Sequence, residues 1–127
     1  MATIDLTKDD FEKTVTDNQM VLVDFWASWC GPCRQFAPVY EKASENHDDI
    51  VFGKLDTEAE QEIAAAAQIT SIPTLMAFKA GHLVFAQPGA LPAQALEQVI
   101  SAVKELSVEE IEKAVAQQEA EQGSQEG

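Results

Sequence analysis

The six residues Trp29-Cys30-Gly31-Pro32-Cys33-Arg34 decide how the rest of the chain is interpreted. They contain the only two cysteines of the 127-residue sequence, and two intervening residues place these cysteines one helical turn apart. At that spacing the two sulfurs can form a disulfide when the first cysteine begins a helix. The stretch therefore predicts a redox-active cysteine pair.

The residues on either side of the pair predict a strand-to-helix turn. Residues 21–25 form a mostly apolar run suited to a buried strand, and residues 33–45 have a helical pattern. Cys30 then lies at a helix N-terminus, where unpaired backbone N–H groups and the helix dipole favour the nucleophilic thiolate. Cys33 lies one turn further in and is predicted to be more buried. We therefore expect Cys30 to attack a substrate disulfide and Cys33 to resolve the mixed disulfide.

Two further stretches extend this pattern beyond the cysteine pair. Residues 24–33 read DFWASWCGPC, residues 71–74 read SIPT, and Gly81 and Gly89-Ala90 follow at later positions. In this order and spacing the set closely resembles the active-site signature and the cis-proline loop of the thioredoxins. The resemblance covers roughly residues 3–106, about four-fifths of the chain. It implies a thiol-disulfide oxidoreductase that reduces protein disulfides.

The resemblance also implies roles for three further residues. Asp24 stands in an otherwise apolar strand, where an unpaired carboxylate is costly. In the family the matching aspartate lies behind the resolving cysteine, so we expect Asp24 to be the general base for Cys33, with a pKa raised by desolvation. Lys54 matches the family lysine that neighbours this carboxylate. Pro73 is expected to be cis and to turn the preceding backbone toward Cys30, where it can meet an extended substrate strand.

A flat apolar surface is expected around Cys30, and we call it the apron. It is predicted to bind substrate proteins, because small residues let a foreign backbone approach closely. The apron consists of Trp29, Gly31, Pro32, Ile72, Gly89 and Ala90. Pro88 departs from the family, which usually has another apolar residue before this glycine, and it is expected to reshape the edge of the substrate groove.

Length, hydrophobicity and charge indicate how many domains the chain has, where it is located and which partners it disfavours. One domain is expected for 127 residues. No N-terminal signal pattern and no apolar run long enough for a membrane span are recognised, so a cytoplasmic location is expected. The net charge of −14 disfavours binding to nucleic acid or to anionic membranes.

Strands and helices alternate in three pairs, the third helix over residues 58–68, and a hairpin and a last helix follow, so an α/β architecture is predicted. The resemblance specifies this as the thioredoxin fold, a central mixed β-sheet with helices on both faces. The hairpin is expected to turn through the three residues Ala80, Gly81 and His82. Residues 1–106 are predicted to form that domain. Residues 107–127 are an acidic extension, predicted to form a short helix and then a disordered tail. A helix that docks on a partner or a second copy is the alternative.

Several functions compete at this point. The leading hypothesis is a monomeric cytosolic reductase that needs no bound cofactor or metal and takes electrons from NADPH through a thioredoxin reductase. An oxidase or isomerase is less favoured, since such relatives often carry histidine where this chain has Gly31-Pro32. A co-chaperone or binding module would use the apron and the acidic extension without redox chemistry. A zinc site is the weakest alternative, because two cysteines need two further ligands.

Overall fold

The computed structural model describes residues 2–126 of the chain, with side chains through residue 121. Its strands are β1 (Thr3–Asp5), β2 (Met20–Trp26), β3 (Val51–Asp56), β4 (Thr74–Lys79) and β5 (His82–Pro88). Its helices are α1 (Phe11–Asp17), α2 (Gly31–Asn46), α3 (Gln61–Ala66), α4 (Ala93–Glu105) and α5 (Val108–Glu126). The predicted order of strands and helices is confirmed.

The described strands form a single mixed sheet in the order β1-β3-β2-β4-β5. β3 is parallel to both β1 and β2, whereas β4 is antiparallel to both β2 and β5. Because β2 and β3 are parallel, their carboxyl ends meet at the same edge of the sheet. α2 begins at this edge, a few residues after β2 ends.

Helices cover both faces of the sheet, as predicted. The core beneath α2 and α4 includes Met20, Leu22, Phe36, Tyr40, Phe52, Leu96 and Ile100. The opposite core lies beneath α1 and α3, and it includes Leu6, Val21, Val23, Phe25 and Leu55. Since side chains alternate along a strand, Asp24 and Trp26 point to the same face as Leu22. The charged residue in the middle of β2 therefore faces α2.

The hairpin between β4 and β5 is tighter than the sequence predicts. We expect a three-residue connection of Ala80, Gly81 and His82, but His82 already pairs with Lys79 in the sheet. Two residues thus form the turn, and both have positive φ, +53° for Ala80 and +80° for Gly81. Such a backbone matches the twist of the flanking strands.

α3 is shorter than the predicted span of residues 58–68. The Oδ1 atom of Asp56 accepts hydrogen bonds from the backbone N–H groups of Glu58 and Ala59, at 2.9 and 3.4 Å. This side chain holds residues 56–59 in a turn, and a local side-chain-to-backbone bond of this kind competes with helix formation. The helix consequently begins at Gln61.

The C-terminal extension, for which a short helix and a disordered tail are predicted, contains α5. The Ser107 Oγ accepts a hydrogen bond from the N–H of Glu110 at 3.0 Å at the start of this helix. The helix continues to Glu126. The alanine, glutamate and glutamine residues of this stretch are good helix formers, and no proline interrupts them. Within α5, Ile111 is buried against the domain with 6% of its surface exposed.

Candidate active site

The cysteine pair lies between β2 and α2. Cys30 is the N-cap residue of α2 and has an extended backbone, and Cys33 lies in the first turn of the helix. The two sulfurs form a disulfide, with the Cα atoms 5.2 Å apart. The backbone N–H of Cys33 points at the Cys30 Sγ atom, 3.2 Å away. When the disulfide is reduced, this N–H and the helix dipole can stabilise a thiolate on Cys30.

Both cysteines are nearly buried in the disulfide form. Cys30 has 5% of its surface exposed and Cys33 has 3%. Cys33 is expected to be more buried than Cys30, but the observed difference is small. Their surroundings differ more clearly. The Cys30 Sγ atom lies 3.6 Å from the carbonyl oxygen of Ile72, which belongs to the loop before β4.

The proline loop lies beside Cys30. The peptide bond between Ile72 and Pro73 is cis, as expected. The N–H of Gly89 donates a 2.7 Å hydrogen bond to the Pro73 carbonyl, and Pro88 pairs with Thr74 in the sheet. These contacts bring the end of β5 next to the proline loop.

The apron residues are brought to one region of the surface. The Ile72 carbonyl oxygen lies next to the Cys30 sulfur, and the Gly89 N–H bonds to the carbonyl of the residue after Ile72. The remaining apron residues are close to Cys30 or Gly89 in the sequence. Trp29 is the most prominent member, since 65% of its surface is exposed although it is large and aromatic. The geometry thus assembles the predicted substrate surface from three separate parts of the chain.

Asp24 is fully buried, and among the described residues neither of its carboxyl oxygens has a hydrogen-bond partner. Burial raises its pKa from 3.8 to about 7, and the nearby Lys54 ammonium opposes this rise. An increase in pKa is what desolvation of a carboxyl group produces, because the low-dielectric interior disfavours the charged form. A group with such a pKa can both accept and release a proton near neutral pH.

Lys54 lies beside Asp24 in the sheet, because the two residues pair in the parallel register of β2 and β3. The Lys54 Nζ atom also lies 5.0 Å from the centre of the Trp26 ring. Tyr40 of α2 lies close enough for the Asp24 charge to raise its pKa further, beyond the larger increase that burial causes. The Tyr40 hydroxyl donates a 2.8 Å hydrogen bond to the Gly53 carbonyl.

Glu58 is a contact of the site that the sequence reasoning missed. Its Oε1 atom accepts a hydrogen bond from the indole Nε1–H of Trp29. The available signal was the acidic stretch that follows β3, because the parallel pairing of β2 and β3 brings this stretch to the same edge as the cysteines. The two residues are 29 positions apart, so no short motif contains them both.

The described residues contain neither an arrangement typical of a metal site nor a helix suited to a membrane. No group of three or more histidine, cysteine, aspartate or glutamate side chains there is arranged to hold a metal ion. None of the described helices is both long enough and apolar enough to cross a membrane.

Comparison with known proteins places this geometry in a family. The thioredoxin family model matches residues 2–102. The chain belongs to the thioredoxin family. It is 58% identical over 122 residues to a thioredoxin homologue from Streptomyces coelicolor, a match that covers 96% of this chain and 91% of that protein. It is also 42% identical over 103 residues to a thioredoxin of Alicyclobacillus acidocaldarius, with 80% of this chain and 98% of that one covered.

Solved structures agree on the fold. A thioredoxin from Halobacterium salinarum, solved as a point mutant, superimposes with a TM-score of 0.77 and 32% identity over 83% of this chain and 93% of that one. Plasmodium falciparum thioredoxin gives a TM-score of 0.73 and 37% identity, covering 79% of this chain and 97% of that one. The α/β thioredoxin fold is therefore confirmed.

Membership in the family, together with the Cys30–Cys33 pair, identifies the chain as a thiol-disulfide oxidoreductase of the disulfide-reducing type. Members of this family generally act on disulfide substrates and are reduced by a thioredoxin reductase. Their chemistry needs no prosthetic group, because the electron pair is carried by the two cysteine sulfurs.

Proposed function

We propose that this member of the thioredoxin family reduces disulfides of other proteins in the cytoplasm, with Cys30 as the nucleophile and Cys33 as the resolving thiol. The observation that carries the proposal is the disulfide in the first turn of α2, with the sulfur of Cys30 next to the proline loop. In the reduced chain, the Cys30 thiolate attacks one sulfur of the substrate disulfide. A mixed disulfide forms, and the other substrate sulfur leaves as a thiolate.

The second step releases the substrate and forms the disulfide of the chain itself. Cys33 loses its proton and attacks the Cys30 sulfur, which breaks the mixed disulfide and forms the Cys30–Cys33 bond. The second substrate sulfur leaves and takes up a proton. The substrate has then gained two electrons, and the chain has lost two.

Asp24 is the proposed acceptor of the Cys33 proton. Its carboxyl group is buried on the face of the sheet that α2 covers, it has no hydrogen-bond partner among the described residues, and its pKa is about 7. These three properties suit a group that takes a proton in one half-reaction and returns it in the other. Lys54, its neighbour in the sheet, would moderate that pKa through its charge.

The apron and Pro73 are proposed to bind the substrate. An extended substrate segment would lie along Ile72, whose carbonyl already reaches Cys30, with Gly31, Pro32, Gly89 and Ala90 permitting close approach of its backbone. The exposed Trp29 ring supplies apolar contact area at the rim. Electrons would come from NADPH through a thioredoxin reductase, and the chain would act as a monomer, so that the apron stays accessible.

Trapping the mixed disulfide tests the proposed roles. Cys33→Ser should accumulate a covalent complex with a disulfide-containing protein such as insulin, and a reducing agent should release it. Cys30→Ser should form no such complex, because the nucleophile is missing. If Cys33→Ser traps nothing while Cys30→Ser does, the two roles are reversed. If the wild-type chain reduces no protein disulfide but still binds partners, it is a binding module.

A further inference from the structure

The Trp29 side chain combines high exposure with a defined position. Although 65% of its surface is exposed, its indole N–H is bonded to the carboxylate of Glu58. An exposed tryptophan on a loop normally has several rotamers available, and a partner that binds it must select one of them. Here the free chain already holds the ring in one place.

Glu58 is itself held by the turn that carries it. The Asp56 carboxylate accepts hydrogen bonds from the N–H groups of Glu58 and Ala59. Thr57 donates from both its N–H and its hydroxyl to the carbonyl of Trp26, at 2.9 and 3.0 Å. The turn is thereby tied to the end of β2, the strand that leads to Trp29 and Cys30. The acceptor and the donor are positioned by the same edge of the sheet.

We infer that Glu58 is a positioning residue that preorganises Trp29 for the binding of protein substrates. The inference rests on the proposed substrate-binding role of the apron. The Glu58 carboxylate bonds to the indole, whereas the Cys30 sulfur contacts the Ile72 carbonyl and the Cys33 N–H. Loss of Glu58 should therefore weaken the productive encounter with a protein substrate and leave the exchange reaction itself unaltered. Immobilising one such side chain on binding corresponds to a change in affinity of about threefold to tenfold.

The test compares a protein substrate with a small one. The reduced chain is mixed with insulin, or with the uncharged disulfide 4,4′-dithiodipyridine, and its own oxidation is followed by acid quenching and thiol alkylation. For Glu58→Ala, the insulin concentration at half-maximal rate should rise about threefold to tenfold, with little change in the maximal rate. The rate with the small disulfide, which does not need the indole, should stay close to that of the wild type.

Two controls separate positioning from charge. Glu60→Ala removes the same charge from the same turn, and the Glu60 side chain makes no capping bond to α3, so this variant should behave like the wild type. In a Trp29→Phe background, which lacks the indole N–H, adding Glu58→Ala should have no further effect. NMR relaxation of the indole N–H should show increased motion of Trp29 in Glu58→Ala.

The possible outcomes are distinct. Equal effects of Glu58→Ala and Glu60→Ala would overturn the inference, because they would point to charge alone. An equal loss of rate with both disulfides would also overturn it, because the change would then lie in the chemistry at the sulfurs. If the wild-type chain reduces neither disulfide, the proposed function itself fails, which is a different result from either of these.

Discussion

Asp24 and Lys79 are two buried charged residues with opposite environments. Asp24 is fully buried and, among the described residues, has no hydrogen-bond partner. Lys79 is 9% exposed, and its Nζ atom donates to the carbonyls of Val103, Lys104 and Leu106 at 2.9, 2.9 and 2.6 Å. In the antiparallel pairing of β2 and β4, Lys79 lies opposite Met20 at the start of β2, whereas Asp24 lies four residues further along β2 toward the cysteines.

The difference separates a charge that stabilises the fold from the charge that we propose to act in catalysis. The three carbonyls that Lys79 reaches lie at the C-terminal end of α4, where the helix dipole favours a cation. Its buried charge is therefore satisfied. Burial of Asp24 has no such compensation and raises its pKa to about 7. The unfavourably buried carboxyl group thus lies nearer to the cysteines than the satisfied ammonium group does.

The largest expected effect is a gain in stability from Asp24→Asn, by about 4 kcal/mol near pH 8. Because the Asp24 pKa rises from 3.8 to about 7 on folding, the native state keeps a proton that the unfolded state releases. Wild-type stability should therefore fall, relative to the variant, as the pH rises from about 4 to about 7, and the difference should stay constant above that. Urea denaturation of the disulfide-intact chain across this pH range measures the effect.

Asp48→Asn is the matched control, because Asp48 is exposed and its replacement should not produce this pH dependence. A stability difference for Asp24→Asn that is independent of pH would mean that Asp24 ionises normally in the folded chain. In that case the contrast between the two buried charges would not hold.

Replacement of Lys79 should lower the stability of the chain, whereas replacement of Asp24 should raise it. Lys79→Met keeps the length and the apolar stem of the side chain but removes its donors, so the carbonyls of Val103, Lys104 and Leu106 each lose a hydrogen bond. The expected loss of stability is about 3 kcal/mol, in line with hydrogen bonds made by a charged donor. Lys42→Met, at an exposed position of α2, is the control. Equal stabilities of the two methionine variants would show that the Lys79 contacts contribute nothing.

The same contrast explains how much could be predicted from the sequence. Asp24 could be identified because a carboxylate stands out within an apolar strand, and the cysteines and Pro73 belong to short motifs. Lys79 could not, since a lysine at a strand end usually points to solvent and its acceptors lie 24 to 27 residues later. Glu58 was missed for the same reason, because its contact with Trp29 forms only in the folded chain.

Removal of the extension should have a smaller effect. Truncation after Ser107 keeps all three carbonyl acceptors of Lys79, and the lost contacts are those of Ile111 and its neighbours, which line a cleft with Leu83 and Val84. The expected cost is about 2 kcal/mol, the value of burying one large aliphatic side chain. Ile111→Ala in the full chain should reproduce most of it. A truncated chain that fails to fold would contradict the prediction that residues 1–106 form the domain.

The smallest expected effect is a change in the Asp24 pKa when Lys54 loses its charge. Burial is the larger influence on that pKa and raises it, whereas the Lys54 ammonium lowers it. Lys54→Met should therefore move the Asp24 pKa above about 7, and the stability of this variant should stop falling at a higher pH than that of the wild type. As a proposed base, Asp24 would then remain protonated to higher pH, so resolution of the mixed disulfide should slow near neutral pH and recover at higher pH.

Lys54→Arg, which keeps the charge, should leave both the stability profile and the rate profile near those of the wild type. If the two substitutions shift the profiles equally, the packing of Lys54 against the Trp26 ring, and not its charge, governs Asp24.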